Sequence, residues 1–392
     1  MLPLSAGCRL TLYLYSEFGK LSQEEIISPG RLAWKKLKQH KSAMFGFYVI
    51  LISFFIAVFC YLLVPDATRD SNSMQLSASL LPPGSTVEFL RLPGAGYQTK
   101  PSLTERWFTG ETPRFKEIPL SWWKANGDNI SIEEYGAASG DSSARQTYTL
   151  SQLSSLYGRP VTIREVIITR HYLLGTDRFG RDLLSRLMVA TRVSLSVGLI
   201  AVVISLFIGI TLGAVAGYFR GTTDRIIQWF INVIWSIPTL LLVVAITMAL
   251  GKGFVQVFIA VGLTMWVEVA RLVRGQFFSL RELQFVEAGQ ALGYKNARII
   301  FRHILPNVIG PVIVMAASNF ASAILLEAGL SFLGMGAQPP TPSWGMMIKE
   351  NYSYIVMDAA WLAIFPGAAI ALMVLSFTLL GNGLRDAFDT RL

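Results

Sequence analysis

Hydrophobic positions in this chain come in long unbroken runs, not in the short alternations of a soluble domain. Met44 to Val64 reads MFGFYVILISFFIAVFCYLLV and holds no charged residue, and a helix needs about 20 apolar residues to cross a bilayer core. Comparable runs cover about 193–219, 226–250, 254–272, 308–333 and 361–380. The pattern predicts an all-α polytopic membrane protein with six transmembrane helices, because lipid offers no partner to an unpaired backbone group. Pro238 and Pro366 fall inside the third and sixth runs and predict kinks there. The apolar stretch Leu10 to Leu14 is too short to span and no small-residue cleavage pattern follows it, so no removable leader is read at this end.

The pattern changes between the first two runs. Residues 65–170 carry PPG at Pro82 to Gly84, LPGAG at Leu92 to Gly96, and the aromatics Trp107, Phe108, Trp122 and Trp123. Ser85 to Leu90 and Val161 to Thr169 read as strands. The segment is long enough for one small domain and too rich in aromatic and β-branched residues for a disordered linker. The expected organisation is a leading segment 1–43, a first helix 44–64, an insertion 65–170, an interfacial segment 171–190, a helical bundle 191–382 and a tail 383–392. Asn129-Ile130-Ser131 matches a glycosylation acceptor, a short pattern with meaning only in a eukaryotic secretory route.

Charge gives this layout a direction. Charged residues make up 15% of the chain, against about 25% in soluble proteins. Arg31, Lys35, Lys36, Lys38 and Lys41 precede the first run, and Arg220 and Arg225 separate the second from the third. Arg274, Arg281, Lys295, Arg298 and Arg302 lie between the fourth and fifth, and Arg385 and Arg391 follow the sixth. The opposite short loops hold only Lys252 and Lys349. Basic residues stay cytoplasmic, so both termini are expected inside and the insertion outside; long domains translocate largely regardless of charge. Cys8 and Cys60 give no disulfide framework, and His40, His171 and His303 lack ligand spacing, so no metal site is expected. The phosphate-loop pattern G-x4-G-K-[ST] does not occur, so the chain is not expected to bind ATP or act as an enzyme.

One basic segment between two runs stands out: EAGQALGYKNARIIFRHILPN, residues 287–307. Residues 285–292 predict a short helix with Ala288, Ala291 and Leu292 on one face, where small side chains permit close approach of another surface. Gly293 suits the position just past the helix end, and Pro306 is expected to break the segment before the fifth run. Glu287-Ala288-Gly289, then Gly293, then Leu305-Pro306 resembles the EAA signature, EAA-x3-G-x9-I-x-LP, of binding-protein-dependent ABC importer permeases. Gly289 replaces the third-position alanine, and His303 stands where the isoleucine would be, with Ile304 next.

Further stretches resemble the C-type permease subunits of oligopeptide and dipeptide ABC importers: LGTDRFGRDLLSRL (174–187), TRVSLSVGLIAV (191–202), GAVAGYF (213–219), ARLVRG (270–275), RIIFRHILPNVIGPVIV (298–314), EAGLSFLGMGAQPPTPSWGMMI (327–348) and LLGNGLRDAFDTRL (379–392). SPGRLAWKKLKQHKSAMFG (28–46) resembles the family's cytoplasmic lead-in. The resemblance covers about 171–392 and 28–64; the 65–170 insertion is longer than the family pattern. It implies the type-1 ABC importer permease fold in the bacterial inner membrane, with a second homologous permease, two ABC ATPase subunits carrying ATP and Mg, and an extracytoplasmic substrate-binding protein as partners. It also implies that Glu287, Ala288, Gly289, Leu292, Gly293, Leu305 and Pro306 form the ATPase-coupling loop. Membrane lipid is the other expected partner; nucleic acid is not.

Two more groups are candidates. Gly175, Thr176, Asp177, Gly180, Arg181 and Asp182 form a polar, glycine-punctuated segment expected at the outer face, either as part of an outer gate or binding-protein dock, or as a plain anchor for the second span. Thr176 or Asp177 would cap a short amphipathic helix bearing Leu183, Leu184 and Leu187, and Asp177, Arg178, Arg181 and Asp182 are close enough to pair. Glu327, Asn319 and Asn232, with Ser236, are polar groups inside spans, which mark a substrate path or bond neighbouring helices together. Glu268 and Arg271 read as snorkelling or paired near the interface, and the 338–344 loop QPPTPSW as an interfacial anchor through Trp344 or a binding-protein surface. Cargo stays open between peptides and the nickel or antibiotic peptides carried by similar permeases. A solitary secondary transporter would show more charge inside spans or an internal repeat, and neither is present.

Overall fold

The computed structural model describes residues 29–94, 97, 102–136, 145–251 and 253–388. Leu10 to Leu14, Cys8, Gly96, Lys252 and Arg391, which the sequence reading singles out, lie outside them. Among the described residues, five helices are long and apolar enough to cross a membrane: α2 (Lys41–Leu63), α6 (Leu183–Phe219), α9 (Phe254–Arg281), α11 (Asn296–Phe332) and α13 (Trp361–Phe388). The third run is not one helix. It divides into α7 (Gly221–Trp235) and α8 (Thr239–Leu250), which meet at 91° and together pass the same test. Pro238 has no N–H to continue α7 and pushes the residue before it out of helical backbone; its ψ of 125° starts α8 in a new direction. The expected kink is thus a full break. Pro366 gives no such break, and α13 runs through it to Phe388.

Two helices outrun their apolar stretches. α6 begins ten residues before Val193, because Asp182 caps it by accepting from the Ser185 amide at 3.0 Å. The separate amphipathic helix expected around 183–187 does not form; those residues are the first turn of α6, and Leu183 is fully buried. α9 continues past 272 to Arg281. A short amphipathic α1 (Pro29–Gln39) packs Ala33 and Leu37 against Ala387 at the end of α13.

α6 and α9 form the tightest pair of the bundle. Gly209, Gly213 and Gly217 recur every four residues along one face of α6. A Cβ there would lie 2.5 Å from Val269 Cβ, 2.6 Å from the Ala270 carbonyl and 2.5 Å from Phe277 Cβ respectively. Small residues at this spacing let backbones approach where lipid gives no hydrophobic drive to associate. The bundle centre is filled by Ile50, Leu195, Ile324, Leu362 and Met373, with Phe320 stacked on Phe377 at 4.1 Å.

The insertion folds as a domain with a five-stranded antiparallel sheet, so the fold is not all-α. Its strands are β1 (Ser85–Pro93), β2 (Phe115–Asn126), β3 (Asn129–Glu134), β4 (Arg145–Thr149) and β5 (Ile167–Tyr172), in the order β4-β3-β2-β1-β5. Glu88 stands opposite Leu120 on one side and Thr169 on the other. The strand expected over 161–169 divides into a helical turn, α5 (Ile163–Val166), and β5. α4 (Leu150–Tyr157), capped by Thr149, seats Leu153 and Tyr157 on Leu90, Leu120, Ile130 and Ile132 of the sheet. A seven-residue helix α3 (Leu103–Thr109) ties the domain to the bundle. Trp107 stacks on Phe59 of α2 with ring centroids 5.7 Å apart and donates to the Val58 carbonyl at 2.6 Å.

Candidate functional site

The segment with the EAA pattern forms α10 (Gln284–Ala291) between α9 and α11. Its end is a Schellman motif: the Gly293 amide donates to the Gln290 carbonyl and the Tyr294 amide to the Gly289 carbonyl, with Gly293 at φ 73°. Val286 and Gly289 face inward. Val286 enters a cluster with Tyr218 of α6, Val273 and Phe277 of α9, and Ile299, Ile304 and Val308 of α11. Gly289 faces the Tyr294 ring, which an added Cβ would meet at 3.4 Å. Tyr294 is itself stacked on His303 at 5.6 Å and covered by the Arg298 guanidinium at 4.1 Å. The other face of α10 is open: Glu287, Ala288, Ala291 and Leu292 are exposed, Leu292 at 70%, beside Leu283 and Phe285.

Pro306 does not break the chain. Residues Ile299–Ile304 wind as a π-helical turn that leads straight into Leu305 and Pro306. The wider turn gives the pyrrolidine ring room and tolerates its missing donor. Leu305 is half-buried and Pro306 exposed. The Tyr218 hydroxyl donates to Asn296 Oδ1 at 2.9 Å, and Arg281 donates to the Tyr218 carbonyl. These bonds tie the ends of α6, α9 and α11 to one another, and Val286 packs α10 into the same cluster, so a displacement of α10 bears on all three.

At the opposite end, the structure gathers Gly175 to Asp182 into a buried lock. Arg181 Nε donates to Asp177 Oδ2 at 2.6 Å, and its terminal nitrogens reach Glu350 at 3.0 Å and Asn72 Oδ1 at 3.2 Å. Arg186 lies 3.7 Å from Asp177 and 3.3 Å from Glu350. Thr176 donates to the Ala78 carbonyl at 2.7 Å and accepts from the Leu81 amide at 2.9 Å. Asp182 bonds Ser185 by side chain and backbone; burial pushes its carboxyl up from the usual range, against the pull of those bonds. Thr176, Asp177, Arg181 and Asp182 are all buried, so they present no surface to a docking protein. Arg178 stands apart and covers Phe179 at 4.6 Å. Glu350, on α12 (Trp344–Asn351), completes the lock and carries no sequence signal of its own.

The polar groups inside spans do not converge. Glu327 is 2% exposed and accepts from Ser194 at 3.1 Å and Ser331 at 2.7 Å, and Ser331 is bonded in turn by Ser343. This joins α6, α11 and the start of α12. Asn319 is also buried, and its Nδ2 has no partner among the described residues. Asn232 is exposed on α7. Trp344, expected at a membrane interface, is 2% exposed and donates to the Leu187 carbonyl at 3.3 Å. A cavity of about 300 Å³ opens instead at the α7–α8 break, lined by Trp235, Thr239, Thr264, Glu268, Ser322 and Leu326. Glu268 lines this open space, and the Arg271 guanidinium lies over the Trp235 ring at 3.9 Å.

Residues 209–392 match the family described as binding-protein-dependent transport system inner membrane component, and residues 28–83 match the N-terminal TM domain of oligopeptide transport permease C. The glutathione transport system permease of Pectobacterium atrosepticum is 43% identical over 219 residues, 56% of this chain and 72% of that one. A dipeptide transport system permease of Alkalihalophilus pseudofirmus is 44% identical over 218 residues, 56% and 71%. The oligopeptide transport system permease of Bacillus subtilis is 37% identical over 224 residues, 57% and 73%.

Proposed function

We infer the function from one premise, that this chain belongs to the family of binding-protein-dependent transport system inner membrane components. It is a multi-pass inner-membrane permease subunit of a peptide-type ABC importer. Its cargo is a peptide or a peptide-like solute such as those named for its relatives. It works with a second, homologous permease, two ATPase subunits that carry ATP and Mg, and a substrate-binding protein on the side of the sheet domain. Both termini and α10 face the cytoplasm. The chain crosses six times, with α7 and α8 together making one crossing.

The observation that carries the coupling is the two-sidedness of α10. Val286 and Gly289 are sealed into the bundle, while Glu287, Ala288 and Leu292 stand open beside Leu283 and Phe285. An exposed apolar patch around one carboxylate suits a groove on an ATPase subunit. Closure of the ATPases would drive α10, and through Val286 and the Tyr218–Asn296 bond the ends of α6, α9 and α11. The switch between inward and outward access then follows from differential binding to two states.

The test is affinity purification of the full chain in mild detergent, wild type against Glu287→Lys. Reversing a charge at an interface costs several kcal/mol, so ATPase recovery falls by at least about tenfold, which is 1.4 kcal/mol, while the second permease stays. Equal ATPase recovery from both proteins removes the coupling role of α10. No ATPase from the wild type removes the importer assembly.

A further inference from the structure

We propose that a groove between α2, α3 and α6 binds an anionic phospholipid of the leaflet on the sheet-domain side, with Arg192 holding the headgroup phosphate. The groove has a volume of about 250 Å³ and is lined by Phe54, Val58, Trp107, Arg192, Leu195 and Leu199. The lining runs from Arg192 to Leu199 on α6, about 10 Å of helix, and so fits within one leaflet. The apolar run of α2 ends at Val64 and that of α6 begins at Val193. Ten residues separate Phe54 from Val64, about 15 Å of helix, and half a hydrocarbon core is about 15 Å. Arg192 sits where the apolar part of α6 begins, at the level of the headgroups. Leu195 and Leu199 continue below it along the same helix.

The charge of the groove is unbalanced. Arg192 is half-buried, donates to the Phe108 carbonyl at 3.0 Å and lies over the Tyr61 ring at 5.8 Å. Among the described residues no carboxylate pairs with it, and no acidic side chain lines the groove. A guanidinium has five N–H donors; Arg192 gives one to the Phe108 carbonyl and another to Cys60, which leaves donors for a phosphate. At headgroup level an arginine without a counter-charge attracts anionic lipid, and a phosphate supplies that charge. The absence of a carboxylate favours a net-negative headgroup over a zwitterionic one, whose ammonium would find no partner. Trp107 closes the rim, fixed by its bond to Val58. Phe108 beside it is 59% exposed, an aromatic placed as at membrane interfaces.

The test is native mass spectrometry of the full-length chain in detergent, titrated with phosphatidylglycerol and with phosphatidylcholine of the same acyl chains. The wild type should retain phosphatidylglycerol about fivefold better, the preference one arginine near a surface confers. Arg192→Gln should abolish that preference. Leu199→Trp, which fills the groove and leaves the charge, should reduce retention of both lipids. Soluble glycerol 3-phosphate at millimolar concentration should not displace bound lipid. A preference that survives Arg192→Gln, or retention unchanged by Leu199→Trp, overturns the proposal. Displacement by glycerol phosphate means a free-phosphate site and overturns the lipid assignment. Should Arg192→Gln fail to fold, Leu199→Trp decides alone.

Discussion

Two arginines and two carboxylates share one buried site where the sheet domain meets the bundle. Asp177, Arg181, Arg186 and Glu350 balance in charge, and Arg181 touches two acids at once. Removing one member of a buried ion cluster leaves an uncompensated charge, at about 3–5 kcal/mol. Glu350→Ala should therefore lower the thermal midpoint of the purified chain strongly, and Glu350→Gln less, since the amide oxygen still accepts from Arg181. An unchanged midpoint in both would mean that the cluster is solvated. Half of this arrangement is legible in the sequence: Asp177 and Arg181 are four residues apart in a glycine-punctuated stretch, and local pairing follows from spacing. The other half is not, because Glu350 meets Arg181 across 169 residues and only the folded bundle supplies that proximity. The glycines show the same limit. Gly180 at φ 70° is legible as a turn, but the Gln75 carbonyl that any Cβ would strike there belongs to the distant insertion.

At the scale of elements, α6 and α9 depend on absent side chains. Gly213→Leu would place a branched side chain against the Ala270 carbonyl and Val273, and overpacking typically costs about 1–3 kcal/mol. Gly329→Ala is the contrast, since a Cβ there meets nothing within 4 Å, and alanine gains up to about 1 kcal/mol over glycine inside a helix. A thermal melt of both variants should move in opposite directions; a rise in both would show that helix propensity, not close packing, governs these positions. The repeat at 209, 213 and 217 is visible in the sequence as glycines every fourth residue, yet an apolar run alone does not say which face it marks. α10 is read from sequence more easily, because its glycine stop and its i, i+3, i+4 face are local chemistry. The α7–α8 break lies between these cases. Pro238 signals a disruption, but a turn of 91° is set by where α8 packs on α9, through Val243 and Val257.

For the whole molecule, the direction of α6 relative to α9 decides how the chain is threaded. Gly209 meets Val269, Gly213 meets Val273 and Gly217 meets Phe277, so numbers rise together and the two helices run parallel. On the proposed topology the chain returns across the bilayer between them, and among the described residues α7 and α8 are the helices available to carry it. The bent pair then counts as one crossing, and α10 lies on the face opposite the sheet domain. Were the pair a re-entrant loop instead, α9 would cross the other way and α10 would share a side with the sheet. Single cysteines separate these arrangements in a Cys8→Ser background, where the buried Cys60 stays silent. Asp128→Cys at the β2–β3 turn and Leu292→Cys on α10 are both exposed positions. A membrane-impermeant maleimide should label Asp128→Cys on intact spheroplasts and Leu292→Cys only after permeabilisation. Labelling of both on intact spheroplasts would place α10 beyond the reach of any cytoplasmic ATPase, and would make the exposed Leu283, Phe285 and Leu292 a surface for some other partner.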